Sequence, residues 1–225
     1  MSPRTAGDSP GTDGSLLVTR VDPDMRQFIV VGHDAPTTPD FSLNDLPGAG
    51  RLDLLARCVT SSLLLSHGIR ENVRTHLVLG DTVTVTVDGA TVRRLNPDER
   101  STAALVQNAL EQRGEAVGHV AVEPSPGVSL RRLGLAETLD VVAGDGQLCV
   151  LHEDGTPAPD LAPPTDPVFL LSDHRAFTDA ELSLADGHAD VRVTLGPERL
   201  HADQAITVAH SWLDTEGFGN FHGSL

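Results

Sequence analysis

Three segments in the second half of the chain place polar or small residues directly after a short apolar run. The run Val168–Leu171 leads within two residues to Asp173, and Val191–Thr194 leads into a Gly-Pro turn. A third run, Leu148–Leu151, is followed by charged residues. In open α/β sheets, ligands bind where strands end, and free N–H groups at a helix start can hold a polar or anionic group. The segments therefore predict a small-molecule site at the carboxyl ends of three strands.

The elements that must position these turns alternate between strands and helices. Gln27–Gly32 is a continuous apolar run typical of a buried strand, and Arg51–Ser66 carries leucine and valine at helical spacing. A second helix is predicted from the cap Asn96 to about Arg113, and a final helix is predicted to open at Pro197. This alternation predicts an α/β fold with a largely parallel sheet.

Two further predictions concern the connections. The stretch Thr82–Val87 alternates valine with threonine and ends at Asp-Gly, a hairpin signal that predicts a returning strand over Thr91–Leu95. The proline-rich residues 153–167 are predicted to form a loop.

The charge balance restricts the classes of partner. The chain of 225 residues has a formal net charge of −16, and all 16 basic residues are arginine. Such acidity argues on simple electrostatics against nucleic acid. It also suits a protein that stays soluble in molar salt, where charges are strongly screened, so we interpret it as adaptation to a halophile's cytosol. In that case the remaining arginines become informative.

Location and domain organisation follow from simpler features. No apolar run reaches the roughly 20 residues of a membrane helix, and no secretory signal is visible. Cys58 and Cys149 stand in apolar surroundings and are predicted to be reduced core thiols of a cytoplasmic protein. Residues 1–24 are predicted to be disordered, with Met25 as an alternative start, and residues 25–225 to form one domain.

Blocks of sequence that run in order from Met25 to about Asp214 carry a family resemblance. They are Met25–Ile29, Asp45–Gly48, Gly50–Val59, Leu65–Arg70, Pro97–Arg100, Arg131–Gly134, Ser172–His174 and Leu200–Asp203. The chain resembles the knotted SPOUT methyltransferases and, more closely, the archaeal TrmY family, which methylates N1 of pseudouridine at position 54 of tRNA. Ordered blocks over this length are a strong signal.

The resemblance implies a SPOUT-type sheet flanked by helices, a C-terminal trefoil knot, a homodimer and S-adenosylmethionine as cofactor. It assigns nine residues to the cofactor: Leu151, Ser172, Leu195, Gly196, Pro197, Glu198, Arg199, Leu200 and Ala205. Two of them depart from the family pattern, which commonly has Gly at position 172 and Cys at position 205. The serine preserves a backbone contact, whereas the alanine leaves a small void or removes a reactive thiol.

The implied reaction requires N1 of pseudouridine to lose its proton while it attacks the methyl group, so positioning and a nearby base should supply most of the rate. Asp53, Asp98 and Asp173 are the candidate bases. Each has an alternative role: Asp53 can pair with Arg57 one helical turn away, Asp98 can compensate a helix dipole, and Asp173 can belong to a helix cap.

Arginines inside the matching blocks are candidates for phosphate contacts with tRNA. They are Arg51, Arg57, Arg70, Arg100, Arg131 and Arg132. The histidines show no spacing typical of metal ligands, so no metal is expected. Two alternatives stay open, namely a non-catalytic member of the fold that binds RNA or cofactor, and a pseudouridine methyltransferase that acts on another RNA.

Overall fold

The computed structural model describes residues 24–222, so most of the predicted disordered segment, residues 1–23, lies outside it. The strands within this region are β1 (Arg26–Gly32), β2 (Leu64–Leu65), β3 (Gly68–Ile69), β4 (Val73–Leu79), β5 (Val83–Asp88), β6 (Val122–Ser125), β7 (Val128–Arg131), β8 (Gln147–Pro157), β9 (Pro167–Ser172) and β10 (Val191–Thr194). The α-helices are α1 (Leu52–Leu63), α2 (Glu99–Glu111), α3 (Leu135–Val142), α4 (Asp179–Asp186) and α5 (Ala202–Asp214).

Eight of the strands form one sheet in the order β10-β8-β9-β1-β4-β5-β7-β6. The four pairings from β10 to β4 are parallel, and the three from β4 to β6 are antiparallel. The predicted α/β fold with a mostly parallel sheet is confirmed. Because β8, β9 and β10 run the same way, the three predicted turns meet at one edge, which we call the carboxyl edge.

Helices cover both faces of this sheet. Apolar residues of α1, α2 and α5 pack on one face, and those of α3 and α4 pack on the other. The first face contains most of the rare aromatic side chains: Phe28 stacks on Phe169 with centroids 5.3 Å apart, and Trp212 lies 6.5 Å beyond Phe169. Both cysteines are free and buried, as predicted. A leucine- and valine-rich core with few rings is therefore sufficient to cover both faces.

The predicted strand over Thr91–Leu95 is wrong. Instead of returning as a hairpin, β5 pairs with β7, which arrives from later in the chain. The Asp88 carboxylate accepts a hydrogen bond from the Ala90 N–H, and the Gly89 N–H bonds back to Val73, so the chain turns away from the sheet. The position beside β5 is then filled by β7.

Three element boundaries also differ from the prediction. Asp98, rather than Asn96, caps α2, since its carboxylate accepts from the Ser101 N–H at 2.8 Å. The last helix begins at Ala202 rather than Pro197, and β8 extends to Pro157, into the predicted loop. Helix α3 was not predicted at all. The extension of β8 reflects its pairing with the distant strand β10, which overrides the local proline signal.

Two buried histidines are held neutral by the core. Burial and neighbouring arginines lower the pKa of both His76 and His210 to about 3. The His210 Nε2–H donates to the Ser62 carbonyl at 3.0 Å, and the His76 Nε2–H donates to Gln27 Oε1 at 3.0 Å. Because the folded state resists protonation, stability is lost as the pH falls below the ordinary histidine pKa.

We expect acidification from pH 7.5 to 5.5 to lower the free energy of unfolding by about 1.4 kcal/mol for each of these two histidines. Urea unfolding at constant salt measures the effect. The variant His76→Gln, which can keep polar contacts to Thr86 and Gln27, should lose about half of this pH dependence. A variant with the parent's full dependence would show that His76 titrates normally in the folded protein.

Candidate active site

A cavity of about 300 Å³ opens at the carboxyl ends of β8, β9 and β10. All nine residues predicted to hold the cofactor line it: Leu151, Ser172, Leu195, Gly196, Pro197, Glu198, Arg199, Leu200 and Ala205. They come from β8, the last residue of β9, the turn after β10 and the first turn of α5, over positions 151 to 205 of the chain. The structure therefore brings together the whole predicted set.

The wall of this cavity combines apolar and polar side chains. Leu151, Leu195 and Leu200 supply side chains that can pack against a flat ring. At the start of α5, the Gln204 side chain accepts from the N–H of the capping residue His201 at 3.1 Å, and Ala205 lines the cavity one turn further on. Such a surface fits a ligand with an apolar ring and polar substituents.

Beside the cavity, β8 pairs in parallel with β10 and shifts its register near the end of β10. Val150 and Thr156 lie opposite the consecutive residues Arg192 and Val193, so residues 151–155 bulge outward. A side chain at Gly155 would come within 2.4 Å of the Val193 backbone. An ion pair between Glu153 and Arg199 joins the bulge to the turn after β10. The glycine thus allows β8 and β10 to approach closely beside the cavity.

The turn after β9 is organised by the Asp173 carboxylate, whose side chain is 1% exposed. It accepts hydrogen bonds from the backbone N–H groups of His33 and Arg175, both at 2.9 Å. The Ser172 hydroxyl donates to the Arg175 carbonyl at 2.5 Å, so the serine that departs from the family pattern has a partner in this turn. Asp173 lines the cavity, but its oxygens are already engaged by donors.

His33 is a site residue that the sequence analysis missed. Its Nδ1 donates to Asp173 at 2.9 Å and its Nε2 to Glu181 at 3.1 Å, so both ring nitrogens face carboxylates. Burial opposes the charge on the ring, but hydrogen bonds to Asp173 and Glu181 outweigh burial and raise the pKa of His33. Nothing in the local sequence signals this contact, because Glu181 is 148 residues away.

Asp53 and Arg57 form a network beside α5. Asp53 is 5% exposed and accepts two hydrogen bonds from Arg51, at 3.0 and 3.1 Å. Arg57 donates to Asp53 at 3.1 Å, to Glu99 at 2.8 Å and to Asp203 at 3.2 Å, which joins α1, α2 and α5. Burial opposes ionisation of Asp53, but the two guanidinium groups outweigh it and lower the pKa of this carboxyl group. The predicted pair with Arg57 is confirmed.

The third candidate base, Asp98, is exposed at the start of α2. Hydrogen bonds from the Ser101 side chain and backbone lower the pKa of Asp98. Neither Asp98 nor Asp53 lines the cavity, so only Asp173 of the three predicted bases does.

The six predicted RNA-contacting arginines are spread over the molecule. Arg51 and Arg57 belong to the network just described, and Arg70 pairs with Asp214 at 2.6 Å near the start of β4, at the opposite edge from the cavity. Arg100 donates to the Leu43 carbonyl at 3.4 Å, and Arg131 to the His119 carbonyl at 3.2 Å. Arg132 is exposed directly after β7.

Across residues 24–222, no group of three or more histidine, cysteine, aspartate or glutamate side chains is arranged to hold a metal ion. Within the same range, no helix combines the length and apolar character that crossing a membrane requires.

The parallel sheet and its cavity define a class of α/β proteins that bind a small ligand at strand ends. A family model of SAM-dependent RNA methyltransferases matches residues 25–218, and the chain belongs to this family. The membership predicted from the sequence blocks is therefore confirmed. A cavity lined by leucine side chains and polar groups suits the adenine and amino-acid parts of S-adenosylmethionine.

Similar proteins agree with this assignment. A tRNA (pseudouridine(54)-N(1))-methyltransferase of Haloarcula marismortui is 63% identical over 198 residues, which cover 88% of this chain and 100% of the relative. One of Methanopyrus kandleri is 42% identical, covering 85% of this chain and 94% of the relative. The crystal structure of Archaeoglobus fulgidus Nep1 bound to S-adenosylhomocysteine matches the fold with a TM-score of 0.56 at 13% identity, covering 84% and 96% of the two chains.

The substitution Gly155→Ala should weaken S-adenosylmethionine binding about tenfold, because the added methyl group forces the β10 backbone to shift at the cavity rim. Isothermal titration calorimetry measures the change. Gly144→Ala is the matched control, since no heavy atom lies within 4 Å of the added carbon. Equal affinities of both variants for S-adenosylmethionine would mean that the close approach of Gly155 to β10 does not shape the site.

Proposed function

We propose that this protein transfers a methyl group from S-adenosylmethionine to N1 of pseudouridine 54 in tRNA. The observation that carries the proposal is the convergence of nine predicted cofactor residues on one cavity of a SAM-dependent RNA methyltransferase. The names of relatives that are 54–63% identical to this chain point to the same substrate.

The cavity residues divide the work of holding the cofactor. Leu151, Leu195 and Leu200 would pack against the adenine, and backbone groups near Ser172 and Gly196 would hold the polar parts. When bound, S-adenosylmethionine supplies a sulfonium methyl group, which is already a strong electrophile. The protein therefore needs mainly to orient the acceptor ring and exclude water.

The predicted bases differ in what they can do for the acceptor. Asp173 has its oxygens saturated by donors, so we propose that it positions the cavity turn instead of removing a proton. The pKa values of Asp53 and Asp98 are both lowered, so both carboxyl groups ionise readily. A carboxylate with a lowered pKa is, however, a weaker base. A role for either in proton transfer stays a prediction.

The finer architecture is also part of the proposal. We infer a trefoil knot at the C-terminal end, supported by the family resemblance and by the path from the edge strand β10 to α5, which packs on α1. We also propose a homodimer, in line with the resemblance. Acting on tRNA would place the protein in the cytoplasm, and its net charge of −16 suits a salt-rich one.

The proposed reaction makes a sharp distinction between two RNAs. Labelled methyl groups from S-adenosylmethionine should enter tRNA that carries pseudouridine at position 54 and should not enter the same tRNA with uridine there, because N1 of uridine is occupied by the glycosidic bond. Mass spectrometry of the digested nucleosides, after reaction in high salt, identifies the product. Equal labelling of both RNAs would exclude N1 of pseudouridine as the acceptor.

Ala205 favours a second candidate function, a cofactor- or RNA-binding protein without turnover, because the family commonly has cysteine there. We expect the alanine to leave only a small void, since it lines the cavity beside leucine side chains. The variant Ala205→Cys should then change the rate of methyl transfer less than threefold, with Ala176→Cys at another point of the cavity lining as the comparison. The second candidate would be supported if the parent protein binds the cofactor without turnover and only Ala205→Cys gains activity.

A further inference from the structure

The arginines of this chain fall into two groups according to their partners. Eight of those in the described region pair with a carboxylate: Arg26, Arg51, Arg57, Arg70, Arg74, Arg175, Arg192 and Arg199. Six others form no such pair within residues 24–222: Arg93, Arg94, Arg100, Arg113, Arg131 and Arg132. All six lie in the stretch that runs from the end of β5 to the residue directly after β7, on the antiparallel half of the molecule. A group of arginines without carboxylate partners is unexpected in a chain with a net charge of −16.

An exposed apolar hairpin stands within this region. Val117 and Val120 pair across a two-residue turn, with N–H to carbonyl distances of 3.4 and 2.9 Å, and they are 70% and 68% exposed. Because directly opposite residues of an antiparallel pair point to the same side, the two valines form one patch. Arg131 donates to the His119 carbonyl at the tip and holds the hairpin against β7.

The position of this hairpin relates it to the cavity. Two successive antiparallel pairings make β7 run in the same direction as β4, so Arg131 and Arg132 leave the sheet at the carboxyl edge, as the cavity turns do. Four strand spacings separate β7 from β9, which is about 19 Å. One extended ligand can therefore reach both places.

We propose that the surface formed by Val117, Val120, Arg131 and Arg132 docks the RNA substrate away from the reacting nucleotide. The inference rests on the proposed function, and RNA is the occupant that the charge favours. Unpaired guanidinium groups can meet phosphates and stack on bases, and the valines can pack on the face of an unstacked base or on ribose. Glu115 and Glu123 lie nearby, but the Glu123 carboxylate accepts from the Gly127 N–H. In concentrated salt the phosphate attraction is screened, so the apolar contact carries more of the affinity.

The test measures the affinity for tRNA by fluorescence anisotropy. The double variant Val117→Thr with Val120→Thr keeps the side-chain shape and should raise the Kd for tRNA about fivefold, with unchanged affinity for S-adenosylmethionine. Arg132→Gln should raise the Kd and lower the slope of log Kd against log salt by about 1. Val141→Thr, on α3, and Arg74→Gln, paired with Asp88, are the matched controls and should behave as the parent.

The outcomes separate this inference from the proposed function. If the parent methylates pseudouridine-containing tRNA while the valine variant binds tRNA within twofold of it, the docking surface is refuted and the function stands. If the parent transfers no methyl group but the valine variant still binds tRNA fivefold more weakly, the function fails and the surface stands. A valine variant that alters only the sedimentation behaviour would assign the patch to contact with a second copy, which also overturns the proposal.

Discussion

The parallel pairing of β1 with β9, β9 with β8 and β8 with β10 is the constraint on which the site depends. Parallel strands end at the same edge, so turns that are distant in the chain converge without any special contact between them. The 2.4 Å approach that a side chain at Gly155 would make to β10 shows how little room is left at this edge. The cavity therefore results from the shared direction of these strands and from the close approach of β8 to β10 at Gly155.

Charged side chains near the site form ion pairs and hydrogen bonds with one another and with backbone groups. Arg57 donates to three carboxylates from three helices, and Asp173 is enclosed by donors from the turn that follows β1. Removing one partner of such a group would leave an uncompensated charge. The loss of folding stability would be far larger than the stability that an exposed ion pair contributes. The acids near the site thus hold elements of the fold together.

The two halves of the sheet carry different charge arrangements. Around the cavity, the arginines nearest the turns are paired with acids, as Arg199 is with Glu153 and Arg175 with Asp34. On the antiparallel half, Arg131 and Arg132 have no carboxylate partner in the described region. The proposed docking of RNA on the antiparallel half, beside a half that holds the cofactor, accounts for both arrangements.

Much of this protein could be predicted from its sequence. Apolar runs and helical periodicity indicated the α/β class, and the turns after Leu151, Leu171 and Thr194 indicated a small-molecule site at strand ends. The blocks from Met25 onward indicated the family, and the resemblance assigned the nine residues that line the cavity. The first two signals are local, because strand ends and turn residues have characteristic compositions. Tertiary structure alone decided that β5 pairs with β7, that His33 bridges Asp173 and Glu181, and that Arg70 lies far from the cavity. Those contacts join residues tens to more than a hundred positions apart, and no local pattern encodes which distant partner occupies a vacant strand edge or faces a buried charge.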